Sequence, residues 1–163
     1  MRILVVDDHQ VVRRGVRSLL EREEGFEVCG EAVDGRDAVA KARELKPDAI
    51  VMDISMPVMN GLDATREIIR QFPQFRIVVL SQHDSPEMMR EALNAGAQGY
   101  VIKSDASNNL IAALYHASQT ERPRTAPQPA GETNATIEEI LERLNAFDQE
   151  FPLLFIDISL TQL

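Results

Sequence analysis

The chain has 163 residues, 44% of them apolar, which is enough to bury the core of one domain of ordinary size and excludes disorder along its whole length. Seventeen basic against twenty-six acidic side chains leave a net charge of −9, which argues against broad attraction to nucleic acid or anionic lipid and for a cation or a protein as partner. No apolar run approaches the roughly 20 residues of a membrane span, only four apolar residues separate Arg2 from Asp7, and Cys29 stands alone, so the expectation is a soluble, cytoplasmic protein with no signal peptide, membrane contact or internal disulfide.

Apolar runs and helical patterns alternate through the first 120 residues, as in a parallel α/β sheet. The first strand is expected over 2–6 and is followed by a helix carrying Val12, Val16, Leu19 and Leu20. The second strand, over 27–32, has polar residues interleaved and is expected near an edge; Ala38, Ala42 and Leu45 mark the helix after it. Strands follow over 49–52, 76–80 and 99–102, rich in Val, Ile or Leu as strands covered on both faces should be. Ile68 and Ile69 mark the third helix; the fourth begins at Asp84-Ser85-Pro86-Glu87 and ends at Gly96; Leu110, Ile111 and Leu114 mark the fifth. Right-handed crossovers wind such a (βα)₅ chain into three layers, helices on both faces of the sheet.

Ligands of open α/β sheets bind beyond the carboxyl ends of the strands. Here the first strand runs into Asp7 and Asp8, the third into Asp53, the fourth into Ser81 and the fifth into Lys103. Each has an ordinary reading: a helix cap for Asp7 or Asp8, a turn for Ser81, a solvated loop for Lys103. Asp53 resists one, because a carboxylate closing a buried Ala-Ile-Val-Met strand must be paired, metal-bound or reactive. Three carboxylates on one rim repel unless a divalent cation with oxygen ligands neutralises them, and Mg²⁺ is the natural candidate. Mg²⁺ shares its shell with phosphate oxygens, so the rim is a candidate phosphoryl-transfer site with Asp53 as nucleophile and Lys103 and Ser81 on the phosphoryl oxygens. His9 and His116 suggest no metal cluster, lacking a third nitrogen or a thiolate nearby, and His83 reads as a loop histidine.

These residues, with Met56-Pro57 and Gly61 after Asp53 and Gly96-Ala97 leading into Gly99-Tyr100-Val101-Ile102-Lys103, resemble the receiver domain of two-component response regulators over residues 1–120. Val5-Val6-Asp7-Asp8-His9 and Gly99-Tyr100 are most similar to the NarL/FixJ (LuxR-type) subtype. The resemblance implies a flavodoxin-like three-layer sandwich with sheet order 2-1-3-4-5. It implies that Asp53 accepts phosphate from a histidine kinase, with Mg²⁺ held by Asp8, Asp53 and the backbone carbonyl of Ser55, and by Asp7 through water. Lys103 and Ser81 would bind the phosphoryl group, and Ser81 moving inward would let Tyr100 rotate, changing the face of the fourth helix, fifth strand and fifth helix. The plain alternative for Tyr100 is a partly buried strand aromatic. The chain departs from many receivers in having Ser104, not proline, after the lysine, while Ser55 and His83 occupy positions that tune phosphoryl lifetime in the family.

Composition changes after Thr120. Pro123, Pro127, Pro129 and Gly131 read as a linker over 121–135, and a tail over 136–163 opens with the capping box Thr136-Ile137-Glu138-Glu139 and the stripe Ile137, Ile140, Leu141, Leu144 and Phe147 before an apolar extended stretch. Residues 121–163 hold 3 basic and 8 acidic side chains, a balance of −5, and no recognisable helix-turn-helix, so direct DNA binding by this chain is not expected. Homodimerisation through the fourth-helix/fifth-strand/fifth-helix face or through the tail helix is a hypothesis. Two readings stand beside a phosphoacceptor switch that is not an enzyme in the ordinary sense: the front part of a longer DNA-binding transcriptional regulator, and a Mg²⁺-dependent phosphohydrolase using Asp53. The second lacks the Asp-x-Asp general acid, since Asp53-Ile54-Ser55 stands there.

Overall fold

The structure is a computed structural model, and it describes residues 1–119. Five parallel strands, β1 (Arg2–Val6), β2 (Glu27–Ala32), β3 (Ala49–Asp53), β4 (Arg76–Ser81) and β5 (Gly99–Ile102), form one sheet in the order β2-β1-β3-β4-β5. Between and after them run α1 (Gln10–Leu20), α2 (Gly35–Leu45), α3 (Gly61–Gln71), α4 (Pro86–Asn94) and α5 (Ala106–Gln119), with a 3₁₀ turn, Lys103–Asp105, joining β5 to α5. This is the flavodoxin-like fold expected, with β2 at an edge. The linker over 121–135 and the tail over 136–163, with its helix, lie outside the described residues.

Alternation along the strands builds the layers. Ile3 and Val5 of β1 point to one face and meet Leu20 of α1 and Leu110 and Leu114 of α5; Leu4 and Val6 point to the other and meet Ala38 of α2 and Ile68 of α3. All are buried, and each aliphatic side chain removed from water contributes about 1.5–3 kcal/mol. A smaller cluster under α4, of Ile54, Leu62, Val79, Ala92 and Ala97, carries Met88 and Tyr100 at its margin. Among the described residues no helix is long and apolar enough to cross a membrane.

Local chemistry sets the helix starts. Asp34, Asn60 and Ser85 cap α2, α3 and α4 by accepting the backbone N–H groups of Asp37, Asp63 and Met88, and Pro86 occupies the first turn of α4. α1 differs: its cap position holds His9, whose side chain makes no cap bond. β3 and β4 each run one residue further than the apolar patterns predicted, because the parallel ladder pairs Asp53 with Leu80 and Ser81 with Ile102 whatever the polarity of the side chains. Asp53 and Ser81 are therefore strand residues held by the sheet.

Candidate functional site

The register explains why distant residues share one rim. Val6 pairs with Met52, so Asp7 and Asp53 follow at the same level; Asp53 pairs with Leu80, so Ser81 comes next; Ser81 pairs with Ile102, so Lys103 follows directly after the last strand. Asp7 is 2%, Asp53 3% and Ser81 1% exposed.

The Lys103 ammonium lies between two buried carboxylates, 2.6 Å from Asp7 Oδ2 and 3.1 Å from Asp53 Oδ1. The solvated-loop reading of Lys103 therefore fails. Burial opposes its charge, but the hydrogen bond to Asp7 and the pull of both carboxylates outweigh it, and its pKa stands above the ordinary lysine value. Asp53 also rises above the ordinary carboxylate value, because burial, joined by the neighbouring Asp7 charge, exceeds the stabilisation from Lys103. The two directions agree physically: one ammonium is shared between two anions, so the cation gains more than Asp53 does. A buried carboxylate of raised basicity is a stronger nucleophile once ionised.

The turn reading of Ser81 holds, whereas the helix-cap reading of Asp7 or Asp8 does not, because the cap position of α1 is His9 and no side-chain cap bond is made there. Asp7 Oδ1 accepts from the His9 N–H, a turn just ahead of α1, while Asp7 Oδ2 holds Lys103. Ser81 Oγ accepts from the His83 N–H at 3.1 Å, the turn expected of a serine at a strand end. Tyr100 is half-buried, and its hydroxyl donates to the His83 carbonyl at 2.6 Å. Tyr100 and Ser81 thus both bond the backbone of His83 in the loop after β4, and their hydroxyls lie close to each other.

The loop after Asp53 is shaped by close approach. A Cβ on Gly61 would stand 1.8 Å from the Asp53 carbonyl oxygen, and the Gly61 N–H donates to the Ile54 carbonyl, so only glycine lets α3 start against the end of β3. Within that loop Val58 has φ 69°, held by a three-residue turn in which Met59 N–H donates to Pro57 O at 2.8 Å. A β-branched residue is strained there. Ser55 lies in this loop, exposed, two residues past Asp53.

Three groups were missed or discounted in the sequence reading. Arg13 is buried, donating Nη1 to the Asp7 carbonyl (2.8 Å) and Nε to Glu31 (2.9 Å), and Arg17 Nε donates to the other oxygen of Glu31 (2.9 Å). The signal was an arginine three residues before Val16 and seven before Leu20, on the buried stripe of α1. His9 was set aside for want of nitrogen or sulfur partners, yet its Nδ1 lies 2.8 Å from Asp8 Oδ1 and 3.4 Å from Asp7 Oδ1. Carboxylates are the partners that reading did not count. Among the described residues, the ligand atoms that come within 4.8 Å of one another belong to Asp7, Asp8 and His9.

Asp8 Oδ1 is a buried oxygen with no hydrogen bond, since the His9 nitrogen is close to it without hydrogen-bond alignment. An orphaned carboxylate oxygen beside the buried Asp7 carboxylate fits a hard divalent cation with oxygen ligands, while Asp53 does not join the group of ligand atoms within 4.8 Å.

Comparison with known proteins agrees with this geometry. A family described as the response regulator receiver domain matches residues 3–115. The transcriptional regulatory protein DegU of Brevibacillus brevis is 40% identical over 114 residues, covering 70% of this chain and 48% of that protein. Among solved structures, a LuxR-family two-component response regulator from Aurantimonas sp. SI85-9A1 matches with TM-score 0.71 and 36% identity over 88% of this chain and 97% of that one. The response regulator domain of Thermotoga maritima CheB matches with TM-score 0.70 and 31% identity, covering 75% of this chain and 98% of that one. The chain spans about half the length of the curated relatives it matches.

Proposed function

This chain belongs to the response regulator receiver-domain family of two-component signal transduction, and from that premise we propose that Asp53 accepts a phosphoryl group from a phosphohistidine of a histidine kinase. The observation that carries the reading is the buried Asp53 carboxylate, raised in basicity, with the Lys103 ammonium 3.1 Å away. A carboxylate oxygen attacks phosphorus, the P–N bond breaks with its electron pair returning to the imidazole, and an aspartyl phosphate forms. Lys103 neutralises the phosphoryl oxygens as a point charge, and the Ser81 hydroxyl donates to one of them. The phosphoacceptor domain is assigned to residues 1–120, and its working compartment to the cytoplasm.

Asp8, Asp53 and the Ser55 carbonyl would hold Mg²⁺, with Asp7 acting through water; the orphaned Asp8 oxygen supports this set. A bound Mg²⁺ supplies charge neutralisation at the carboxylates and polarisation of the phosphoryl oxygens. The protein acts as a stoichiometric switch that catalyses only its own phosphorylation and dephosphorylation. Ser81 drawn toward a phosphoryl oxygen pulls the loop that carries the His83 carbonyl, and that carbonyl holds Tyr100, so charge at Asp53 is transmitted to the face of α4, β5 and α5. That face is the proposed site of partner exchange or homodimerisation, with the tail helix as the alternative dimer contact.

A second reading is favoured by the half-length match to a transcriptional regulator: the chain is the phosphoacceptor part of a longer DNA-binding regulator. In either case the test is the same. Incubation with Mg²⁺ and acetyl phosphate, read by intact mass, should give one hydroxylamine-labile adduct, absent in Asp53→Asn and absent in EDTA. Multiple turnover of a phosphomonoester without an adduct would overturn the switch in favour of a phosphohydrolase.

A further inference from the structure

We propose that Arg13 is a positioning residue of the phosphoryl-accepting site: by bonding the main chain of Asp7 it fixes where the Asp7 carboxylate holds Lys103 beside Asp53. The inference rests on the reading of Asp53 as phosphoacceptor and adds a residue to it.

Asp7 stands where the sheet gives out. Val6 is the last residue of β1 paired with β2 and with β3, so Asp7 lies past both ladders. Its N–H still reaches the Ala32 carbonyl, at 3.1 Å. Its own carbonyl accepts from Arg13 Nη1 at 2.8 Å, in a buried bond that spans six positions. A buried carbonyl beyond the last rung of a sheet needs a partner, and here a helix side chain supplies it.

The guanidinium is itself held in place. Nε donates to Glu31 Oε2 at 2.9 Å, and Arg17 Nε donates to Glu31 Oε1 at 2.9 Å, so both oxygens of Glu31 are engaged. Glu31 belongs to β2 and pairs with Val5 of β1, two residues before Asp7. Arg13 is 9% exposed, on the face of α1 that carries Val16 and Leu20. A planar fork that meets a carboxylate with one nitrogen and a carbonyl with another has little freedom to turn. A pair serving only to neutralise Glu31 would close on its carboxylate, as Arg17 does. Arg13 instead bridges from β2, under α1, to the strand end that carries Asp7.

From Asp7 the constraint reaches the acceptor in two steps. Asp7 Oδ2 holds Lys103 Nζ at 2.6 Å, and the same ammonium stands 3.1 Å from Asp53 Oδ1. One cation serves two carboxylates, so a displaced Asp7 moves that cation relative to Asp53. Misplacing a group by about 1 Å at a reacting centre can cost about 100-fold in rate.

The test uses the full chain and two variants. Arg13→Met keeps an unbranched apolar stem and removes both hydrogen bonds. Val16→Ala takes packing from the same buried face of α1 and leaves the bonds to Asp7 in place. Urea titration measures the stability of each, and the comparison is made where both are folded. With Mg²⁺ and saturating acetyl phosphate, followed by intact mass, Arg13→Met should label at least about tenfold more slowly than the parent, while Val16→Ala keeps the parent's rate. In EDTA, the ¹H–¹⁵N backbone cross-peaks of Asp53 and Lys103 should move in Arg13→Met and stay in Val16→Ala, a signature that lost stability alone does not produce. If Arg13→Met does not fold, Arg13→Lys, which has a point donor in place of the fork, replaces it with the same expectations. Labelling of the Arg13 variant at the parent's rate, equal slowing in Val16→Ala, or unmoved Asp53 and Lys103 cross-peaks would each overturn the proposal. A parent that takes no label would sink the phosphoacceptor reading and this one with it, whereas a labelled parent matched by the Arg13 variant would sink this one alone.

Discussion

Replacing Lys103 by Met keeps the aliphatic stem and removes the one cation that stands between Asp7 and Asp53. The ammonium is 2.6 Å from one carboxylate and 3.1 Å from the other, and its side chain is 14% exposed, so the charges are shielded from most solvent screening. Breaking a buried ion pair by deleting one partner costs about 3–5 kcal/mol, because the other charge is left uncompensated. The rim opens to water on one side, which places this case at the lower end, about 3 kcal/mol. For a domain near 120 residues that is a fall in melting temperature of about 10–20 °C. The chain has no tryptophan, so far-ultraviolet circular dichroism in EDTA is the assay. Asp53→Asn should move the other way. Its folded pKa lies above the unfolded one, so the ionised carboxylate costs stability as pH rises past the unfolded value, and at neutral pH the neutral amide removes that cost. Saturating Mg²⁺ should recover part of the Lys103→Met loss, since the cation then binds two carboxylates with no competing ammonium. A Lys103→Met protein that melts with the parent would refute the account of the rim as a strained set of like charges held by one lysine.

Gly61→Ala should lower stability by about 3 kcal/mol or more, because its Cβ would stand 1.8 Å from the Asp53 carbonyl oxygen and force the acceptor strand to shift; urea titration reads the stability and acetyl phosphate labelling the site, which should lose most of its rate. Val58→Gly should stabilise by about 1 kcal/mol, since φ 69° costs a β-branched residue about 1–2 kcal/mol and the side chain, 74% exposed, has little packing to lose; an unchanged or lower midpoint would contradict this. Glu31→Gln should cost about 1–2 kcal/mol at neutral pH, for the loss of charge-assisted hydrogen bonds from Arg13 and Arg17. Burial pushes Glu31 upward, but those two arginines bring it below 4.5, so its contribution is present above that value and is lost as pH falls through the folded pKa. Melts taken from neutral to acid pH should therefore show the parent and Glu31→Gln converging only on the acid side.

The sequence by itself determined the fold class and the place of the acidic pair, Asp53, the hydroxyl and the lysine at one rim. Apolar runs of strand length alternating with helical stripes are one-dimensional signals, and in a parallel sheet every strand delivers its last residue to the same rim. Asp7, Asp53, Ser81 and Lys103 were legible for that reason, as was the start of α4 from Asp84-Ser85-Pro86-Glu87. The tertiary structure alone decided which of these groups touch. Lys103 could have been solvated at the end of β5; its position between two buried carboxylates follows from the β1-β3-β4-β5 register, which no local pattern encodes. Arg13 and Glu31 are separated by 18 positions and meet only because β2 pairs beside β1 under α1. His9 follows Asp7 and Asp8 in the chain, yet its ion pairs with them turn on a side-chain rotamer that a one-dimensional pattern does not specify.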